Sequence, residues 1–320
     1  MNIFCYDIVC ADSYLGCIQE LSVTQLSQTE KDRLEDSAYQ IRRLSLEMIT
    51  CGGWGHPGGS LSMAELLAVL YFKYLRVDPK NPKWQERDRV VLSKAHGSPA
   101  LYAALALKGF FPIDDLYCYC QIGGIEGHTD MSRTVGLESS GGSLGMGLSI
   151  AVGMAWGMRF KELPKARVYC IVGDGETNAG NIWEAAMSAA HYHLDNLITI
   201  LDYNKVMAKG FVWEEMGIEP VAEKWQSFGW DVIEIDGHDI DEINDALHQA
   251  KWVLPRGKPI LIIAHTVKGR GIEETEFNYK WHTQHPTPQE ADQMLRELAR
   301  RYNKPEQGYS RLKIVKEKTS

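Results

Sequence analysis

The stretch from Arg167 to Val206 constrains this chain more than any other. It reads as an apolar β run, RVYCIV, a turn GDGETNAGN, a helical pattern IWEAAMSAAHY, a second β run NLITIL and the exit DYNKV. Continuous apolar runs joined through a helix predict neighbouring parallel strands with both faces covered. In such sheets ligands gather outside the carboxyl ends of the strands. Gly-Asp-Gly at the end of the first run therefore presents Asp174 at the sheet mouth, where Gly173 and Gly175 allow close approach. Asn204 ends the next run, thirty residues on (204 minus 174). With the Val206 carbonyl, these are hard oxygen donors that suit Mg²⁺ or Ca²⁺ better than zinc, and a half-filled oxygen shell leaves positions for phosphate oxygens. Read alone, the tripeptide is also a common turn; Asn204 at the adjoining strand end distinguishes it.

Further β runs near 89–92, 231–235 and 259–264 join those near 167–172 and 197–201. Helical patterns between them predict an α/β fold, a parallel sheet with helices on both faces. A chain of 320 residues, 44% hydrophobic and 24% charged, buries a large core and fits no disordered class. The formal charge of −8 argues against nucleic acid as a partner. No apolar run approaches the roughly 20 residues that span a bilayer. The opening MNIFCYDIVCADSYLGC has no basic residue and fails as a targeting peptide. Seven cysteines without a CxxC pair fit free thiols in a reducing compartment, so cytoplasm is the expectation. A metal cluster of Cys5, Cys10 and Cys17 lacks a second group of ligands.

Residues 1–26 read as an N-terminal extension packed on the body or on a partner. Ser27 with Glu30 forms a capping box, and Leu34, Ala38, Ile41, Leu44 and Met48 recur at helical spacing up to about Gly52. Ser62 is a candidate cap for a helix running to Tyr74. Asp236-Gly237-His238-Asp239 reads as a turn and N-cap, and Lys268, after the run PILIIAHTV, reads as a solvent lysine or a phosphate contact. Four histidines follow Gly-rich or helix-entry contexts: His56 in Gly55-His56-Pro57-Gly58-Gly59, His96 in Lys94-Ala95-His96-Gly97-Ser98, His128 after Gly127, and His282 in Lys280-Trp281-His282. Taken singly, a histidine in such a setting is more often structural. Gly141 to Gly147 opens a helix with small residues, which leave amides free for a ligand.

Together these motifs resemble the transketolase family, specifically the amino-terminal, thiamine diphosphate-binding subunit of a split transketolase, from about Glu30 to about His285. The resemblance implies a diphosphate-binding domain over 27–287 followed by a charged helix and tail over 288–320. It implies thiamine diphosphate held through Mg²⁺, with Ca²⁺ or Mn²⁺ as substitutes, on Asp174, Asn204 and the Val206 carbonyl. His56, His128 and His282 are then catalytic, and His96, Gly142, Ser143, Leu144, Gly175, Glu184 and again His282 bind cofactor. Glu184 is as readily a solvated helix carboxylate. Three positions depart from the family pattern: Trp54 replaces a serine before Gly55, Thr129 replaces the proline after His128 and leaves that loop less rigid, and Ala179 replaces a glutamate of the chain that links the two cofactor sites.

The implied activity is transfer of a two-carbon ketol unit from a ketose, expected to be phosphorylated, to an aldose. The family's cofactor-activating glutamate belongs to a pyrimidine-binding domain, and after His285 only 35 residues remain (320 minus 285). The expectation is a second polypeptide carrying the pyrimidine-binding and carboxyl-terminal domains, two copies of each chain, and no nucleic-acid or membrane partner. The other readings are a specialised two-carbon transferase of a biosynthetic or unusual sugar pathway, a noncatalytic cofactor-binding subunit, or the first component of a 2-oxoacid dehydrogenase.

Overall fold

The computed structural model describes residues 25–253 and 257–310. The extension's first residues, with Cys5, Cys10 and Cys17, lie outside them. Helix α1, Gln28–Gly52, opens on the expected capping box: Glu30 N donates to Ser27 Oγ at 3.3 Å and Ser27 N to the Glu30 carboxylate at 3.2 Å. It stops where Gly53 takes the left-handed conformation, φ 63°, which costs glycine nothing. The apolar stripe read from the sequence is its buried face.

Five strands, β1 (Arg89–Leu92), β2 (Val168–Gly173), β3 (Leu197–Tyr203), β4 (Asp231–Asp236) and β5 (Ile260–His265), form one parallel sheet in the order β1-β2-β3-β5-β4. The period of two sorts the strand side chains between two cores. Tyr169, Ile171, Ile198, Ile200, Ile260 and Ile262 face α1, α3 (Ala64–Val69), α4 (Ser98–Lys108) and α9 (Ile240–His248). Val168, Cys170, Val172, Leu197, Leu201 and Ile263 face α5 (Met146–Phe160), α6 (Gly180–His191) and α8 (Val221–Ser227). Because β5 returns between β3 and β4, its right-handed crossover puts α9 on the face opposite α6 and α8.

The segment after His56 differs from expectation. A short helix α2 (Pro57–Leu61) starts on its proline, α3 follows, and a π turn covers Leu70–Tyr74. Ser62 does not start the next helix, whose N-cap is Met63; it sits at the C-cap of α2, and its hydroxyl donates inward to Asp202 Oδ2 at 2.7 Å. Asp239 does cap α9, accepting from Asp241 N and Glu242 N. The aromatic insertion after Val206 carries one helical turn, α7 (Val212–Glu215), with Phe211 stacked on Trp213 at 4.4 Å. The charged segment from residue 288 forms α10 (Pro288–Arg301), and its apolar stripe, Ala291, Met294 and Leu295, packs on Leu46, Leu61 and Trp281. No helix among the described residues is long and apolar enough to cross a membrane.

Candidate active site

The carboxyl edge of β2 and β3 carries the expected oxygen donors, held more tightly than a presented loop. Asp174 is only 3% exposed. Gly175 N donates to its Oδ1 at 2.7 Å and Lys205 N to its Oδ2 at 2.5 Å. Lys205 reaches that carboxylate because it sits in the left-handed region, φ 72°. Burial, and then the neighbouring Asp202, push the Asp174 carboxyl up to about 6. Asn204 Oδ1 accepts from Val206 N at 3.3 Å while its Nδ2 donates to Asp202 Oδ2 at 2.9 Å.

Asp202 itself carries no sequence signal, since it stands inside a buried strand. It is fully buried and accepts from Lys94 Nζ, Ser62 Oγ, Thr266 Oγ1 and Asn204 Nδ2. Burial opposes its charge, yet the Lys94 ammonium holds the carboxyl below its ordinary range. Four segments are thereby tied to one carboxylate, which fixes which face of the Asn204 amide looks outward. Glu176, also missed, is 3% exposed. It accepts from Ser93 Oγ, from Gly145 N at 2.7 Å and from Gly173 N at 3.0 Å, so it ties the Gly-Asp-Gly turn to the start of α5.

Lys268 is 2% exposed, so the solvent reading of this lysine is wrong. Its Nζ donates to the Val206 and Met207 carbonyls at 2.8 and 2.9 Å and meets His282 Nδ1 at 2.9 Å. Burial lowers this amine to about 8. The lysine joins the oxygen donors to the histidines and, by donating to Nδ1, leaves the His282 proton on Nε2.

All four expected histidines converge. The His56 ring lies 5.5 Å from His96, 5.8 Å from His128 and 5.4 Å from His282, and His96 lies 5.2 Å from His282. His285, three residues further on, is exposed outside this group. Burial, then His128 and Lys268, bring His56 down to about 4; burial, then Lys268, bring His282 to about 3; burial also lowers His96 and His128. The imidazoles are therefore neutral at neutral pH, each able to donate from one nitrogen and accept on the other. His56 Nδ1 is buried without a hydrogen-bond partner among the described residues.

The loop around His128 is not slack for want of proline. Ser98 Oγ and Tyr119 Oη donate to the Gly127 carbonyl at 2.6 and 3.1 Å, Tyr102 Oη to that of His128 at 2.9 Å, and Gly141 N to that of Thr129 at 2.9 Å. Hydroxyls do here what a ring constraint does elsewhere. Gly142, Ser143 and Leu144 are exposed just before α5, whose N-cap is Gly145 at φ 84°, and Gly142 and Ser143 line a cavity with Leu92 and Ser93 at the end of β1. Glu184 is not brought to the histidines: it stands on the exposed face of α6, as a solvated carboxylate does.

The donor set fits a cation with a diphosphate. A carboxylate offers about four acceptor sites and a carbonyl two, so Asp174, Asn204 and Val206 keep lone pairs beyond those already used. Two buried amines, Lys94 and Lys268, stand against three buried carboxyls, Asp174, Asp202 and Glu176. Such an edge takes up positive charge readily.

The family profile described as transketolase, thiamine diphosphate binding domain, matches residues 34–310. The chain is 51% identical over 244 residues, 76% of its length and 88% of the relative's, to the 6-deoxy-6-sulfo-D-fructose transketolase subunit SqwG of a Clostridium species. It is 40% identical over 269 residues, 83% of its length and 96% of the relative's, to an apulose-4-phosphate transketolase subunit from Actinobacillus succinogenes. Among solved structures, the transketolase of Campylobacter jejuni superposes with a TM-score of 0.77 at 33% identity, covering 88% of this chain and 45% of that one.

Proposed function

The chain belongs to the transketolase family, as the thiamine diphosphate-binding subunit of a two-subunit, transketolase-type transferase, and we propose how its residues divide the work. The observation that carries the reading is the meeting of four neutral imidazoles with the Asp174 and Asn204 edge through Lys268. When bound, thiamine diphosphate supplies the carbanion-stabilising chemistry that breaks and forms the carbon–carbon bond.

Asp174, Asn204 and the Val206 carbonyl hold Mg²⁺, for which Ca²⁺ or Mn²⁺ can substitute, and so fix the diphosphate. His96, His282 and the Gly175 backbone contact that diphosphate, with Gly142, Ser143 and Leu144 beside the organic part of the cofactor. His56, His128 and His282 line the substrate side. As neutral rings they donate to the ketose carbonyl oxygen as negative charge develops on it and relay hydroxyl protons, general acid and base work contributing about 10² to 10⁴-fold each.

The donor is a ketose with an anionic end group. Relatives named for a sulfonated fructose and for apulose 4-phosphate support that class. The partner is a subunit carrying the pyrimidine-binding and carboxyl-terminal domains, two copies of each chain assemble, and the enzyme works in the cytoplasm. The segment 27–287 is the cofactor-binding domain, with residues 1–26 an extension of it and 288–320 its closing helix and tail.

Copurification with a candidate pyrimidine-binding subunit, followed by a donor and acceptor screen in thiamine diphosphate and Mg²⁺, tests the proposal. Transfer of two carbons from a sulfonated or phosphorylated ketose is expected. A stable complex that binds the cofactor yet transfers nothing from any ketose makes the chain a noncatalytic subunit instead.

A further inference from the structure

The two helices that follow the cofactor-binding turns, α5 and α6, leave an apolar face outward. Each holds one formally charged side chain, Arg159 and Glu184, whereas α10, of similar length, holds six. Arg159 is turned back: its guanidinium donates to the Tyr192 and His193 carbonyls at 2.9 and 2.5 Å and closes the end of α6. What remains outward is Leu144, Met146, Trp156 and Phe160 from α5 and the turn before it, with Met187 and Tyr192 from α6 and its end. The Trp156 indole stacks on the Tyr192 ring at 5.0 Å, which joins the two helices into one surface. At about 150–250 Å² for an aromatic side chain, the exposures of 55%, 88% and 45% for Trp156, Phe160 and Tyr192 leave roughly 280–470 Å² of aromatic surface in water. Leu144, Met146 and Met187, each about half exposed, bring the face to the upper end of the largest patches on monomers, roughly 300–600 Å², and within reach of the roughly 800 Å² that each side gives to a standard interface. Among them lie Gly153 and Gly157, one turn apart, where an added Cβ meets no atom within 4 Å. Two glycines weaken the helix from within; on an outward face they form a notch that admits a neighbour's bulky side chains.

Resting on the two-subunit reading above, we propose that this α5–α6 face is where the partner subunit docks, through an uncharged helical surface whose large apolar side chains enter the notch at Gly153 and Gly157. The occupant follows from where the stripe begins. Leu144 belongs to the loop assigned to the organic part of the cofactor, which the partner's pyrimidine-binding domain must reach. From there the stripe continues through Met146, Gly153 and Trp156 to Phe160, sixteen residues on (160 minus 144) and roughly 24 Å along the helix. A partner that closes over the cofactor at one end of α5 therefore lies along the rest of it.

The experiment measures, by calorimetry with thiamine diphosphate and Mg²⁺ present, the Kd between the full chain and its pyrimidine-binding subunit, and separately the thermal midpoint of the chain alone. Gly153→Leu and Gly157→Leu are expected to weaken the complex at least about 30-fold, the size of a hot-spot loss. The chain alone should keep or raise its midpoint, because leucine is the better helix former and its Cβ has room. A residue that only builds the core would move the two readouts together. Trp156→Ala with Phe160→Ala should weaken the complex to the same degree. Trp252→Ala, which removes an equally exposed indole beyond α9 on the other face of the sheet, should leave Kd within about twofold of the parent. Partner affinity that stays at the parent value in both leucine variants and in the double alanine variant overturns the assignment. So does self-association of the chain in light scattering that the leucine variants abolish while partner affinity stays unmoved, for the face then belongs to a second copy. A parent chain that forms no complex with any pyrimidine-binding subunit overturns the two-subunit reading instead.

Discussion

Replacing Asp202 tests how the metal edge is held. Among the described residues its carboxylate is the only one ion-paired with the Lys94 ammonium, which otherwise donates to the Gly59 carbonyl at 2.8 Å, and both side chains are wholly buried. Removing one partner of such a pair costs about 3–5 kcal/mol, because the other charge stays buried and unpaired. Asp202→Ala also strands the Thr266 hydroxyl and the Asn204 amide and leaves Ser62 Oγ only the Gly59 carbonyl at 3.2 Å, at about 1–3 kcal/mol for each donor that water does not reach. Against a total stability of about 5–15 kcal/mol, the alanine variant will not hold its fold. Asp202→Asn keeps the shape, should lose about 3 kcal/mol in equilibrium urea unfolding, and should regain much of it when combined with Lys94→Met. The asparagine variant leaves one uncharged acceptor oxygen for four donors, which weakens the hold on the Asn204 amide. Since support of this kind is worth about 10 to 100-fold in metal affinity, thiamine diphosphate binding should need that much more Mg²⁺. Additive single effects in urea, or an unchanged Mg²⁺ requirement in the folded asparagine variant, would refute the reasoning.

Asp174→Ala should abolish Mg²⁺-dependent thiamine diphosphate binding in calorimetry, and unchanged affinity would contradict the metal assignment. His56→Ala should leave cofactor affinity largely intact while cutting transfer about 10² to 10⁴-fold; equal loss of both would make this ring structural. Stability should also fall in acid. His56 and His282 are held near 4 and 3, against about 6.5 in an unfolded chain, so between those limits the unfolded state binds more protons. The stability is fully present above about 6.5 and is lost as pH drops through the folded values. Urea midpoints measured from pH 7 to 4 should decline more steeply in the parent than in a His56→Gln variant. Glu176→Gln should loosen the link from Gly173 to Gly145, read as faster amide exchange at the start of α5.

The sheet was legible because its strands are continuous apolar runs, and the four histidines because each sits in a glycine-rich or helix-entry motif. What stayed hidden was polar and buried. Asp202 lies within a β run whose neighbours are apolar, and its partner Lys94 is 108 residues away, so no local pattern joins them. Lys94 and Glu176 stand inside motifs whose other members drew attention, and Lys268 follows a strand where an exposed lysine is the ordinary expectation. Burial of these charges arises only when separate segments meet. For the same reason Thr129 reads as a loosened turn until Tyr102, Ser98 and Gly141 are seen bonded around it.

His56, His96, His128 and His282 enter from four separated turns, 226 positions between the first and last (282 minus 56). No single piece of the polypeptide therefore owns the reaction centre. It comes into being only when both ends of the domain have found each other, so a truncation that removes any one of these turns silences the chemistry even where most of the architecture survives.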